Sequence, residues 1–236
     1  MVPIDPFFSI KRFAHRALWK PGAAVWSPLA LLDDYLKTQV LGKIEIDVPE
    51  GVVLINRETI SIGMGTILEP GVLIQGPCVL GKECAIRHGA LLRGGVICGD
   101  RCVIGHSAEI KHSILLDDAH ATHFVYVGDS IVGNGANLAA GVKCANLRLD
   151  GKEVMVSFEG IKVATGLRKM GSIVGDRVQV GCNCVLNPGA MLGREAVCFP
   201  LLNFSGYAPP RSQIKGAVGW TVTPANAVEL LEKIGH

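Results

Sequence analysis

Two histidines, His120 and His123, fall in the segment HATHFVY, at the point where an otherwise regular sequence loses its rhythm. Histidine can take up or release a proton near neutral pH, so a loop histidine is a natural candidate for acid–base work. Spacing alone leaves His123 evenly balanced between that role and a merely polar loop side chain. A second break, over 143–171, carries Lys152, Lys162, Arg168 and Lys169. That basic set suits phosphate groups or a solvated loop face equally well. The eight cysteines include no CxxC pair and no Cys/His ladder at zinc spacing, so no metal is expected.

The elements that must position these groups follow from a six-residue period. An aliphatic residue or cysteine returns at Ile62, Leu68, Ile74, Leu80, Ile86, Leu92, Cys98, Ile104, Ile110 and Leu116. Four places after an anchor the residue is usually small or short, as at Thr66, Val72, Cys78, Cys84, Ala90, Val96, Cys102 and Ala108. This period marks a parallel β-helix in which each sextet gives one short strand and one turn, and three sextets close a coil. The anchors stack inside, and the small residues fit the corners. A β-sandwich would instead space its strands irregularly. The same pattern accounts for most of the cysteines, Cys184 and Cys198 among them, as buried structural thiols in a reducing compartment.

After Leu116 the next fitting anchors are Tyr126, Val132 and Leu138, ten residues on instead of six. The spacing therefore predicts a surface loop over 117–125 with four extruded residues and His123 at its centre. The period is lost again over 143–171 and resumes at Val174, Val180, Leu186, Leu192 and Cys198. A loop of that length inside a solenoid is uncommon without a task.

Around the rod, expected over 44–210, lie two flanks. Residues 1–43 show helical spacing from Asp5 to Lys20 and from Ser27 to Leu41, with Ser27 as N-cap and Pro28 at the first helical position, which predicts two short helices capping the rod or packing on a neighbouring subunit. Residues 211–236 form a tail with a helix from Pro224 to Ile234. A net charge of +2 and 6% aromatic residues give no sign of nucleic-acid binding. No run is long enough to span a membrane, and the first residues lack the basic-then-apolar order of a signal peptide, so a cytoplasmic protein is expected.

The stretch AEIKHSILLDDAHATHFVYVGDSIVGNGANLAAGV resembles the C-terminal acetyltransferase domain of the bifunctional N-acetylglucosamine-1-phosphate uridyltransferase, whose motif reads roughly VEIK…KAxHLxYxGDAxIGxxxNIGAGT. RHGALLRGGVICGD, HFVYVGDS and TGLRKMG are similar to the C-terminal β-helix of related sugar-phosphate nucleotidyltransferases. The resemblance covers most of residues 62–200, within the hexapeptide-repeat acyltransferase superfamily, and the sequence holds no counterpart of the N-terminal nucleotidyltransferase domain. It implies an all-β fold, a left-handed parallel β-helix, assembled as a parallel homotrimer with acyl-transfer clefts between adjacent rods, and acetyl-CoA or another acyl-CoA as cosubstrate. By position, His123 matches the general base. Lys111 matches a lysine at the sugar phosphate, and Tyr126 and Asn137 match sugar-contacting residues. Asn146 matches an asparagine near the acyl group, while Ala140 and Cys182 align with the coenzyme A channel. The phosphate-binding arginine aligns with Arg93 by distance to Lys111, and with Arg87 by local motif; Arg93 is preferred, because position in the coil decides which face a side chain occupies. Leu147, Cys182 and Pro200 depart from the family pattern. Two readings follow: an N-acyltransferase acting on an amino-sugar phosphate or nucleotide-linked amino sugar, and a non-catalytic trimeric module that binds a sugar nucleotide, beside a separate nucleotidyltransferase. The joint spacing of Lys111, His123, Tyr126 and Asn137 favours the first.

Overall fold

The computed structural model describes residues 2–216, and from Ile44 to Ile214 the chain winds into a left-handed parallel β-helix. Each coil contributes one strand to each of three eight-stranded parallel sheets. Sheet 1 runs from Val53–Ile55 to Asn203–Phe204, sheet 2 from Ile60–Ile62 to Tyr207–Ala208, and sheet 3 from Ile67–Leu68 to Gln213–Ile214. The anchors from Ile62 to Ile110 all lie in the interior, and Val174, Val180, Leu186, Leu192 and Cys198 rejoin it after the second break. Ile110 is fully buried and stacks in register between Leu92 and Val127. Truncation there leaves a void that closed coils cannot collapse around, so Ile110→Ala is expected to lower unfolding stability by about 2–5 kcal/mol in urea denaturation.

The first break is not the extruded loop that the spacing suggested. In the strand Ser113–Leu115, Leu115 pairs in register with Cys98 below and Val132 above, so Leu115 and not Leu116 is the interior residue. Ala121 and Val127 follow at six-residue steps, and Val132 comes after a step of five. Two sextets are thus shortened by one residue each, and nothing is inserted at 117–125. His120–Ala121 is a strand of sheet 3, and His123 occupies an ordinary corner. The period misled because two leucines adjoin: Leu116 is also buried, but on the outside of the rod. Tyr126 likewise faces outward, next to the interior Val127.

Sheet 2 is apolar on both faces. Its outer residues Ile97, Ile114, Ile131, Ile173 and Met191 are buried under Phe7, Phe8, Phe13, Trp19 and Trp26 of the N-terminal segment and under the helix α1, Ser27–Lys37, through Leu29, Leu32 and Leu36. The N-terminal segment therefore lies along a flank and does not cap an end. Of the two expected helices only α1 forms. From Asp5 to Lys20 the chain is irregular apart from one 3-10 turn, Arg16–Leu18, because its backbone is spent on the rod: Asp176 N–H donates to the Phe7 carbonyl, Arg194 N–H to Pro6, and Ser9 N–H to the Asp176 carboxylate. Ser27 makes no capping bond, and Trp26 holds the N-cap position. The excursion after Cys144 contains an antiparallel hairpin, Met155–Phe158 with Ile161–Ala164. Its Val154, Val156 and Met170 join the same aromatic layer, whereas Lys152, Lys162, Arg168 and Lys169 are exposed. The helix expected from Pro224 to Ile234 lies outside the described residues. Among the described residues no helix is long and apolar enough to cross a membrane.

Candidate active site

The outer face of sheet 1 joins two corners of the rod, and polar side chains collect at both. At the corner toward sheet 2 the chain turns through left-handed backbone at His112 (φ 44) and, one coil on, at Asp129 (φ 46). Asparagine and aspartate tolerate this region better than other side chains do. The turn brings the Asp129 carboxylate inward until its side chain is 7% exposed. Three groups meet it there: Lys111 Nζ at 3.3 Å, His112 Nδ1 at 3.1 Å, and the Asn146 side-chain amide, which donates a short hydrogen bond. Burial pushes the Asp129 carboxyl up, but the contacts with His112 and Asn146 and the Lys111 ammonium outweigh it and hold it below the ordinary value.

Arg93, at the same corner one coil before Lys111, bonds to Glu109 at 2.6 Å. Arg93, Lys111, His112 and Asp129 line a cavity of about 440 Å³ together with Asp33 of α1 and the backbone of Gly94 and Gly95. Arg87 lies elsewhere, at the corner between sheets 3 and 1, paired with Glu69 at 2.7 Å.

Tyr126 connects the two corners. It begins its strand at the sheet 3 side, and its ring crosses the next residue but one, so that a Cβ at Gly128 would meet Tyr126 Oη at 2.5 Å and Asn146 Nδ2 at 2.7 Å. Glycine at 128 is what lets the phenol lie flat against the sheet. Burial, then the nearby Asp129 and Glu109 carboxylates, raise the Tyr126 pKa, so the hydroxyl keeps its proton and can donate.

His123 stands at the corner between sheets 3 and 1, three residues before Tyr126. The corner residues above it form a ladder: Gly141 N–H donates to the His123 carbonyl, Asn183 N–H to Ala140, and Leu201 N–H to Cys182. His123, Ala140 and Cys182 therefore belong to one column on successive coils. Cys182 is the exposed cysteine of the eight, and the other seven are buried. Below His123 a cavity of about 400 Å³ is lined by Arg87, His88, His106 and Thr122. His88 and His106 stack at 5.6 Å, and Phe124 closes edge-on at 5.1 Å from His106.

Two expected residues lie apart within the chain. Asn137 is on sheet 3, in register with His120 and Gln179 and not on the Tyr126 face. Asn146 is bonded to Asp129 at the Lys111 corner and not at the His123 corner. Sequence reasoning missed Asp129, His112 and Asp33. Asp129 had a signal, the GDS that ends the strand, and His112 directly follows Lys111, whereas Asp33 is brought to them by the packing of α1 over sheet 2.

A family model described as the GMPPB C-terminal domain matches residues 74–165. The bifunctional sugar-1-phosphate nucleotidylyltransferase/acetyltransferase of Sulfurisphaera tokodaii is 38% identical over 88 residues, 37% of this chain and 22% of that protein. The chain thus spans about a fifth of the length of the first curated relatives it matches. A putative uncharacterized acetyltransferase of Escherichia coli, YaiX, is 35% identical over 165 residues, covering 68% of this chain and 70% of that one. Among solved structures, the UDP-N-acetylglucosamine acyltransferase from Campylobacter jejuni superposes with a TM-score of 0.50 at 14% identity, over 71% of this chain and 69% of that one, a likeness of fold.

Proposed function

Because this chain belongs to the hexapeptide-repeat acyltransferase family that includes the acetyltransferase part of bifunctional sugar-1-phosphate nucleotidylyltransferases, we propose that it is an acyl-CoA-dependent N-acyltransferase acting on an amino-sugar phosphate or a nucleotide-linked amino sugar. The observation that carries this reading is the face of sheet 1. Tyr126 spans from the His123 corner to the Asp129 corner, where Lys111 and Arg93 offer two cations to one cavity.

In this reading the sugar phosphate is held by Lys111 and Arg93 through charge-assisted hydrogen bonds, with the Tyr126 hydroxyl along the sugar. The amine then points toward His123, which takes its proton as nitrogen attacks the thioester carbon. The tetrahedral oxyanion accepts from a corner backbone N–H near Ala140, since the Asn146 amide is committed to Asp129. Collapse expels the coenzyme A thiolate along the column through Ala140 and Cys182. Asn137, on sheet 3, would reach such a site only from a neighbouring rod, in keeping with the homotrimer and inter-subunit clefts that the family resemblance implies.

The test is thiol release from acetyl-CoA over a panel of amino-sugar 1-phosphates and nucleotide-linked amino sugars, with trimer formation checked by light scattering. Turnover with one acceptor class supports the reading. Intact trimers that bind sugar nucleotides without turnover would sink it in favour of a non-catalytic binding module acting beside a separate nucleotidyltransferase. The placement of Cys182 adds a narrower expectation. Alkylation with iodoacetamide, confined to the exposed thiol, should raise the KM for acyl-CoA at least several-fold and leave acceptor binding unchanged. Equal loss of both, or of neither, would remove Cys182 from the coenzyme A channel.

A further inference from the structure

The cavity at the Asp129 corner holds one side chain that the acyl-transfer reading does not use. His112 lies between two carboxylates on different elements: Nδ1 is 3.1 Å from Asp129 Oδ1, and Nε2 is 3.6 Å from Asp33 Oδ1 of α1. Nδ1 is buried and makes no directed hydrogen bond, so its contact with Asp129 is chiefly one of charge, strongest when the ring is protonated. The two carboxylates are not equivalent. Asp129 is 7% exposed and fixed by Lys111 and Asn146, whereas Asp33 is 67% exposed on the helix surface. Gly95 makes room for the pair, since a Cβ there would lie 3.0 Å from His112 Cδ2 and 3.4 Å from Asp33 Oδ1.

We propose that His112 in its protonated form is a third cation of the phosphate cavity and that Asp33 is its exchangeable counter-ion, displaced from Nε2 by the phosphate of the acceptor. The proposal rests on the reading of this cavity as the sugar-phosphate site. The charged groups facing the ring are Asp33 from α1, Asp129 from the next coil, Lys111 on its own strand, and Arg93 from the preceding coil, itself paired with Glu109. With the ring neutral, Arg93 and Lys111 are outnumbered by Asp33, Asp129 and the Glu109 carboxylate paired with Arg93. A protonated ring offsets that excess of negative charge and adds a donor aimed at the anion. Phosphate binding therefore favours the protonated ring, and affinity is higher at the lower pH. The N-terminal layer, whose apolar residues cover sheet 2, thus also sets the anion affinity of the site through one carboxylate.

Calorimetry of the whole chain with glucosamine 1-phosphate, at about pH 6 and pH 8 in phosphate-free buffers of different ionisation enthalpy, tests this. The expected result is tighter binding at the lower pH with proton uptake. His112→Gln should remove the part of the uptake that the acceptor's own phosphate, titrating at about pH 6, does not account for, and weaken binding by about tenfold at the lower pH. Asp33→Asn, which removes a competing anion at the surface, should tighten it by about two- to fivefold. A His112→Gln variant that keeps the wild-type pH dependence, or an Asp33→Asn variant that binds more weakly, overturns the proposal. Lys111→Ala separates it from the reading beneath: if Lys111→Ala abolishes binding while His112→Gln is silent, only the role of His112 fails. If Lys111→Ala also binds normally, or if wild type shows no binding, the phosphate cavity itself falls. Far-ultraviolet circular dichroism establishes that each variant is folded.

Discussion

His123→Ala is expected to lower acyl transfer by about a hundred- to ten-thousandfold, the range for losing a positioned general base, with KM for the acceptor little changed. The split follows from geometry. His123 is on the corner between sheets 3 and 1, at the foot of the column through Ala140 and Cys182, whereas Lys111 and Arg93 line a cavity at the other end of the Tyr126 face. Removal of the imidazole leaves Lys111 and Arg93 in place at the other end. Steady-state kinetics on the preferred acceptor checks this, and a His123→Ala enzyme with normal kcat would move the proton-accepting role elsewhere.

The second large effect is expected at Asp129. Its carboxylate gathers Lys111, His112 and Asn146, and its replacement leaves three polar groups around an uncharged centre. Asp129→Asn is expected to cost about 1–3 kcal/mol of stability at neutral pH and to weaken acceptor binding as Lys111 loses its orientation. The pH dependence has a fixed sign. The folded-state pKa of Asp129 lies below its ordinary value, so its contribution is present above the unfolded carboxyl pKa of about 3.9 and is lost as pH falls through the lower, folded value. Urea denaturation of wild type and Asp129→Asn should therefore differ at pH 7 and converge in acid. A difference that widens on acidification would contradict the assignment of Asp129 as an ionised anchor.

The architecture was legible because the interior of a β-helix repeats at fixed sextets. Ile62 to Ile110 and Val174 to Cys198 stand where that period puts them. Legibility ended where the rhythm shortened by one residue. With Leu115 and Leu116 adjacent, burial on the inside and burial under the N-terminal layer look alike in sequence, so a deletion was read as an insertion. The aromatic residues of the first forty positions announced burial but not its form, because the segment satisfies its backbone on the rod instead of within a helix. Lys111, Tyr126 and Arg93 could be proposed only through the resemblance to the acetyltransferase motif. The groups that organise them could not. Asp33 and His112 are 79 positions apart and meet only because α1 packs across sheet 2.

The central claim is that the Tyr126 face joins an anion cavity to an acyl-transfer corner. Its most direct test is mass spectrometry of the products formed by wild type and by His123→Ala and Lys111→Ala variants from acetyl-CoA and an amino-sugar 1-phosphate. The predicted result is an N-acetylated sugar phosphate that accumulates with wild type, falls to background with His123→Ala, and returns for Lys111→Ala only at high acceptor concentration. Free coenzyme A without an acylated amine, or equal product from all three proteins, would contradict it.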